Sequence, residues 1–112
     1  MDTAALLPKG VIHDFCRRWK IIEFSLFGSV LRDDFGPESD IDVLVTFAPD
    51  AGWSLLDHLR MEKELEARLG RRVDLVSKKA LSRSGNFIRR KAILESARVF
   101  PLLQEISRRD AE

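Results

Sequence analysis

The sequence predicts an α/β protein built on a small mixed sheet with helices packed against it. Short runs rich in β-branched and aromatic residues alternate along the chain with longer segments whose apolar residues recur at helical spacing. The 112 residues are enough to bury one core. We therefore expect a single domain over residues 1–112.

The first part of the chain predicts a helix, a strand and a second, short helix. An apolar stripe predicts a helix over residues 6–20, with Pro8 in its first turn, where a missing N–H costs little. The apolar run Ile21–Phe27 predicts a strand that ends at Gly28. Residues 29–34 are expected to begin a short helix.

The middle of the chain predicts a strand followed by a long helix. Ile41–Phe47 consists almost entirely of strand-forming residues, and residues 53–69 have helical periodicity. Ser54 and Asp57 are spaced as a capping box, and Gly70 as a C-cap. We expect the buried face of this helix to consist of Leu55, Leu56, Leu59, Leu65 and Leu69.

The last part of the chain predicts a further strand and more helix. Residues 71–77 form the strand, and residues 78–97 form one or two helices with an interruption at 84–86. A short strand at 99–100 and a closing helix at 102–109 follow. Up to residue 97 the predicted order is therefore α-β-α-β-α-β-α.

Composition excludes several classes of function. A third of the residues are charged, yet the net charge is only +1, so direct binding of nucleic acid is not expected. Cys16 is the only cysteine, which excludes an internal disulfide and a cysteine-based zinc site. Because neither a signal peptide nor a membrane-spanning run is visible, we expect a cytoplasmic protein with no membrane partner.

Two aspartates at the start of the strongest strand are the first candidate site residues. Asp40 and Asp42 are two positions apart, so both side chains should point to the same face of the sheet. Two adjacent carboxylates repel each other and need a compensating cation. Mg²⁺ prefers such oxygen ligands and commonly binds substrate phosphates as well.

Asp74 is the third candidate, because it interrupts the apolar run of residues 73–76. If its strand pairs beside the Asp42 strand, three carboxylates can hold two Mg²⁺ ions about 3.5–4 Å apart for in-line phosphoryl displacement. One ion would activate the attacking hydroxyl and the other would neutralise the triphosphate. Asp74 would lie nearest the hydroxyl and accept its proton.

Gly28 and Ser29 form a candidate phosphate-binding turn. Glycine permits close approach of the backbone to a phosphate, and free N–H groups at a helix start face an anion. The Ser29 hydroxyl adds a donor, and Arg32, one turn later, can pair with a phosphate or with the aspartates.

Each of these pieces also has an ordinary structural interpretation. Ser39-Asp40 is a common turn, Asp74 alone is typical of an edge strand, and Gly28-Ser29 alone is a common loop. Arg32 alone is typical of a solvated surface. Their order and spacing together favour the functional interpretation.

Other chemically capable residues are assigned structural roles. His13 and His58 are expected at the surface or boundary of helices, and Cys16 in the core. A solvated helix face is the default for a basic group, with a nucleic-acid or acidic-partner surface as the alternative. This group comprises Arg83, Arg89, Arg90 and Lys91.

The motifs together resemble a known signature. Gly28-Ser29, Arg32 and the run from Ser39 to Val45 are similar to the motif of DNA polymerase β-type nucleotidyltransferases, and within them to the minimal nucleotidyltransferases. Many relatives have Ala-Arg-Gly where this chain has Leu31-Arg32-Asp33. The missing glycine indicates a stiffer turn, and Asp33 adds a negative charge near the phosphates.

The resemblance implies a nucleotidyltransferase fold, ATP as substrate and Mg²⁺, with two ions expected. It assigns catalysis and metal binding to Asp40, Asp42 and Asp74. It assigns nucleotide binding to Gly28 and Ser29, to which we add Arg32 and Ser39.

The resemblance also implies a partner. Many members of the family are antitoxins of a HEPN-domain ribonuclease, which they silence by complex formation and by AMP transfer to a tyrosine. This implies a hetero-oligomer and a type VII toxin–antitoxin system. Neutralisation by binding alone, and nucleotide transfer to a small molecule or an RNA end, are the alternatives.

Overall fold

A computed structural model of the protein describes residues 7–28, Gly36 and residues 39–100. The elements in this part of the chain confirm the α/β class. They are α1 (Lys9–Arg18), β1 (Ile21–Phe27), β2 (Ile41–Phe47), α2 (Leu55–Leu69), β3 (Val73–Ser77), α3 (Lys78–Ser82), α4 (Phe87–Ser96) and β4 (Arg98–Val99). The predicted helices at residues 29–34 and 102–109 lie outside the described residues.

The boundaries agree with the sequence prediction at β1 and β2 and differ by a few residues elsewhere. Helix α1 begins directly after Pro8, which therefore precedes the first turn rather than lying in it. Residues 78–97 form two helices, α3 and α4, separated at residues 83–86. The last strand is Arg98–Val99 rather than residues 99–100.

The four strands form one mixed sheet in the order β3-β2-β1-β4. Strand β1 is antiparallel to both β2 and β4, whereas β2 and β3 are parallel and are joined by α2. In this register, Phe27 is the partner of Asp42, and Asp42 is the partner of Asp74. The end of β1 and the starts of β2 and β3 therefore lie side by side at the same end of the sheet.

The two faces of the sheet have different cores. Helices α1 and α2 cover one face over a large cluster that includes Phe15, Phe24 and Met61. Helices α3 and α4 cover the other face over a small cluster of Phe27, Leu44, Leu81 and Ile93. Because side chains alternate along a strand, Asp42 shares the second face with Leu44. The candidate site therefore lies on the α3–α4 side.

Two further predictions concern the burial of Cys16 and the absence of a membrane-spanning helix. Cys16 lies in the larger core, as predicted, and burial raises the pKa of its thiol to about 12. Every helix in the described residues is too short or too polar to cross a membrane.

Helix α2 begins two residues later than predicted, because Ser54 is its N-cap. The Ser54 hydroxyl accepts from the Asp57 N–H at 3.2 Å, and the Ser54 N–H donates to the Asp57 carboxylate at 3.0 Å. This confirms the capping box. Gly70 ends the helix in the left-handed conformation, with a φ of 68°.

The prediction that the leucines of α2 face the core is wrong for three of them. Leu55, Leu56 and Leu59 are 77%, 58% and 48% exposed, and the buried positions are Met61 and Leu65. The reason is the orientation of the helix beside β3. One polar face of the helix, made of residues 58, 62 and 66, faces the outer edge of β3. Leu55, Leu56 and Leu59 therefore point into solvent.

That polar face satisfies the outer backbone groups of β3, which is an edge strand. The Val73 N–H donates to Glu66 at 3.0 Å, and the Leu75 N–H donates to Glu62 at 2.9 Å. His58 Nε2 lies 2.7 Å from the Leu75 carbonyl, which can only accept, so this nitrogen carries the proton. The helix thereby fixes the backbone on both sides of Asp74.

Removal of the α2 cap provides a test of fold stability. We expect Ser54→Ala to lower the free energy of unfolding by about 1 kcal/mol at neutral pH, measured by urea denaturation. Ser82→Ala removes an exposed hydroxyl that donates to the Lys79 carbonyl, and serves as the control.

The effect of Ser54→Ala should depend on pH. Hydrogen bonds from the Ser54 N–H, and then from its hydroxyl, lower the pKa of Asp57. A lowered pKa in the folded state means that this contribution to stability is present at neutral pH and is lost as acid protonates the carboxylate. The difference between wild type and Ser54→Ala should shrink in acid. A difference that grows in acid would contradict this account.

Candidate active site

The site is built around Asp42 on β2 and Asp74 on β3. The two residues are direct partners in the parallel register, so their side chains emerge next to each other on one face. The condition stated for a shared site, that the two strands pair, is therefore met. Asp42 is partly buried, whereas Asp74 is exposed.

The apolar run around Asp74 suggests burial, but Asp74 is exposed on an edge strand, the position that its ordinary structural interpretation expects. Its neighbours Val73 and Leu75 are buried against α1 and α2, but Asp74 points to the opposite face at the open edge of the sheet. An exposed carboxylate there remains hydrated. The apolar neighbours that made Asp74 look buried belong to the other side of the strand.

Gly28 brings the backbone against the Asp42 carboxylate. Its φ is +71°, and a Cβ atom added there would lie 2.3 Å from Asp42 Oδ2 and 3.2 Å from Asp42 Cγ. Real Cβ atoms do not approach so closely, so glycine is required both for the conformation and for the contact. The group that the Gly28 backbone approaches is thus a carboxylate of the site, and the predicted approach to a phosphate stays a prediction.

Asp40 precedes β2 and is held by a different contact. Its Oδ1 lies 3.1 Å from Nε of Arg72, in the turn before β3, and the Ile41 N–H donates to the Arg72 carbonyl at 2.9 Å. Among the residues that the structure describes, no three His, Cys, Asp or Glu side chains are placed together to hold a metal ion. The structure therefore brings Asp42 and Asp74 together, and the three-acid site stays a prediction.

Arg71 fixes the turn that leads to Asp40. Its Nη2 donates to the Ser39 carbonyl at 2.7 Å and also to the Gly36 carbonyl. Within the turn, the Ser39 N–H donates to the Gly36 carbonyl, and the Ser39 hydroxyl accepts from the Gly36 N–H, each at 3.1 Å. Ser39, predicted to bind nucleotide, is thus engaged in the turn itself.

Sequence reasoning missed Arg71 and Arg72, because both were assigned only to the start of a strand. The signal that could have identified them is their position, since two adjacent arginines come just before a candidate catalytic acid. Ser29 and Arg32, predicted to bind nucleotide, lie outside the described residues.

The members of the basic group have different roles. Arg90 is partly buried and donates to the carbonyls of Ser82 and Ser84 at 3.2 and 3.4 Å, so it fixes the turn between the helices. For Arg90 the prediction of a solvated face is wrong. Arg83, Arg89 and Lys91 are exposed, as that prediction requires.

Comparison with known proteins identifies the family. Residues 9–100 match the nucleotidyltransferase domain family, which is most of the chain. The chain belongs to this family. A solved structure described as a minimal nucleotidyltransferase superposes with a TM-score of 0.67 at 35% identity, over 88% of this chain and 95% of that one. The predicted nucleotidyltransferase fold is thereby confirmed.

Two further comparisons relate this nucleotidyltransferase to proteins of described activity. The protein adenylyltransferase MntA of Thermococcus cleftensis is 44% identical over 64 residues, which is 57% of this chain and 63% of that protein. The aligned segment thus spans less than two thirds of the relative. The chain also resembles the fold of a chain in a complex of tri-AMPylated Shewanella oneidensis HEPN toxin with MNT antitoxin. There the TM-score is 0.56 at 22% identity, over 81% of this chain and 66% of that one.

Substitution of Arg71 tests whether the turn at Gly36–Ser39 matters to this nucleotidyltransferase. We expect Arg71→Ala to lower the rate of nucleotide transfer by about tenfold, because the turn that leads to Asp40 loses the hydrogen bonds to the Ser39 and Gly36 carbonyls that fix its position. Added guanidinium should restore part of the rate.

Arg68→Ala is the matched control. Arg68, like Arg71, is an arginine held by a polar partner, in its case the Asp14 carboxylate at 2.9 Å. It lies on α2, away from the turn. If Arg71→Ala and Arg68→Ala affect the transfer rate equally, Arg71 has no specific role at the site.

Proposed function

We propose that the chain is an Mg²⁺-dependent protein adenylyltransferase. It transfers AMP from ATP to a tyrosine hydroxyl of a HEPN-domain toxin and acts as the antitoxin of that toxin. The observation that carries this proposal is the direct pairing of Asp42 with Asp74, with the backbone of Gly28 packed against Asp42 Oδ2. A carboxylate pair in a nucleotidyltransferase domain is suited to phosphoryl transfer.

The donor set fits a magnesium ion. Asp42 and Asp74 supply adjacent carboxylate oxygens, which are the ligands that Mg²⁺ prefers. Asp40 completes the proposed set once its carboxylate leaves Arg72. When bound, the metal neutralises charge on the triphosphate and activates the attacking hydroxyl.

The transfer step is an in-line displacement at the α-phosphorus of ATP. The hydroxyl oxygen of the acceptor forms a bond to the α-phosphorus, the bond to the bridging oxygen of the β-phosphate breaks, and pyrophosphate leaves. Asp74 accepts the hydroxyl proton. Gly28 and Ser29, with Arg32 and Ser39, bind the nucleotide.

The choice of a protein acceptor is supported by the relatives. One is named a protein adenylyltransferase, and the Shewanella complex pairs an AMPylated HEPN toxin with an MNT antitoxin. The near-neutral charge of the chain is consistent with a protein acceptor rather than an RNA end. The account predicts a hetero-oligomer between this chain and its toxin.

The proposal is tested with ATP labelled at different phosphates. A candidate HEPN-domain partner protein is incubated with the purified chain, Mg²⁺ and either α-labelled or γ-labelled ATP. Label should enter the partner only from the α-position, and EDTA should abolish the reaction. Labelling from the γ-position would indicate phosphoryl transfer, and no labelling from either position would refute the proposal.

A further inference from the structure

A cavity of about 720 Å³ opens beside Asp74. It is lined by the end of β2 and the turn that follows, by the start of α2, by β3 and by the helices α3 and α4. Its lining combines apolar, acidic and basic side chains, among them Trp53, Leu55, Asp74, Lys79 and Arg89. This volume lies within the range of cavities that hold a ligand or several side chains of a partner.

The cavity lies on the opposite side of the carboxylate pair from Gly28. Because the sheet order is β3-β2-β1-β4, Gly28 at the end of β1 approaches Asp42 from one side, and Asp74 on the edge strand lies on the other. Asp74 lines the cavity, whereas Gly28, Asp40 and Asp42 do not. If the nucleotide is bound at the Gly28 side, the cavity is on the side from which an acceptor hydroxyl arrives.

The charges in the cavity select an acidic occupant. Lys79, near the start of α3, and Arg89 on α4 both line it and are exposed. Within the described part of the chain, neither has an ion-pair partner. Two unpaired cations in one concave surface attract a carboxylate-bearing ligand.

The rim of the cavity favours a protein as the occupant rather than a small molecule. Leu55 lines the cavity and is 77% exposed, and Ile88, adjacent to Arg89 in the chain, is 81% exposed. Exposed apolar side chains beside a cavity of mixed lining are typical of protein–protein contact surfaces. The outward rotation of the α2 leucines supplies part of this rim.

We propose that this cavity binds an acidic segment of the acceptor protein and delivers the acceptor hydroxyl to Asp74. The proposal rests on the proposed function of the site. Lys79 lies two residues after the end of β3, and Asp74 to Ser77 spans about 10 Å of extended strand. The acidic residue of the acceptor therefore lies about three extended residues from the modified hydroxyl, and an apolar residue of the same segment contacts Trp53 and Leu55.

Charge reversal tests the proposal. The double variant Lys79→Glu/Arg89→Glu is compared with Arg83→Glu/Lys91→Glu, which changes the net charge equally at exposed positions that do not line the cavity. We expect the first variant to raise the KM for the acceptor protein about tenfold or more, with the KM for ATP within about twofold of wild type. The second variant should leave both constants within about twofold. Circular dichroism confirms that each variant is folded.

The affinity for the partner, measured by calorimetry without nucleotide, separates this proposal from the proposed function. If wild type binds the partner but transfers no AMP, the proposed function fails, and a Kd raised only by the cavity variant still supports the docking site. Equal effects of the two double variants on the Kd would overturn the docking site even if transfer occurs. A rise in the KM for ATP alone would assign the cavity to the nucleotide.

Discussion

Asp42→Asn is expected to lower the rate of AMP transfer by on the order of 10³-fold or more while leaving the fold intact. The amide has nearly the same shape as the carboxylate, so the packing of β2 against its neighbours should not change. It lacks the negative charge that the proposed metal site requires. Losses of this size are typical when a charged group that stabilises a transition state is removed.

The matched control for this substitution is Asp50→Asn. Asp50 lies in the turn after β2, where its exposed carboxylate is 3.3 Å from Lys20 Nζ, far along the strand from Gly28. The Asp50→Asn variant should transfer AMP at the wild-type rate. If Asp42→Asn also does so in a single-turnover assay with labelled ATP, Asp42 has no catalytic role.

Substitution of both Asp40 and Asp42 separates neutralisation by AMP transfer from neutralisation by binding alone. When the toxin is expressed in cells, the Asp40→Asn/Asp42→Asn double variant should fail to relieve toxicity if AMP transfer is the means of neutralisation. Full relief by this variant would show that complex formation is sufficient. The exposed leucines of α2 would then be the first surface to consider, because they leave an apolar area available for a partner.

Gly28→Ala is expected to have the second-largest effect, because it disturbs both the backbone and a carboxylate. An alanine Cβ would meet Asp42 Oδ2 at 2.3 Å, so the carboxylate must move. A displacement of about 1 Å in a catalytic group can cost about 100-fold in rate. We expect AMP transfer to fall by about 10–100-fold and the fold to lose about 1 kcal/mol from the positive φ.

Gly70→Ala provides a control for the backbone component. Gly70 has a φ of +68°, close to the +71° of Gly28, but nothing lies within 4 Å of its added Cβ. Both variants should lose similar stability in urea denaturation, and only Gly28→Ala should lose activity. A Gly70→Ala variant that is equally inactive would show that loss of stability, rather than contact with Asp42, explains the result.

Much of the sheet was predictable because its strands carry local signals. β1 and β2 were bounded correctly from runs of strand-forming residues, and Ser54 and Gly70 marked the ends of α2 through capping chemistry. The pairing of Asp42 with Asp74 could be stated only as a condition. Strand order depends on contacts between segments that are distant in the chain. The periodicity of the sequence carries no information about such contacts.

The errors have a common physical origin. Leu55, Leu56 and Leu59 were assigned to the core from hydrophobicity, but the backbone of an edge strand required polar partners, and α2 turned His58 and Glu62 towards it. Arg71 and Arg72 were missed for a related reason. Their partners are main-chain carbonyls and Asp40, and these become neighbours only when β3 aligns beside β2.

The most direct test of the central claim is the intact mass of the toxin after co-expression with this chain. With wild type, we predict a toxin population heavier by one or more adenylate groups, attached at a tyrosine. With Asp42→Asn, the toxin should be unmodified. An unmodified toxin in the presence of wild type, or equal modification by wild type and Asp42→Asn, would contradict the account.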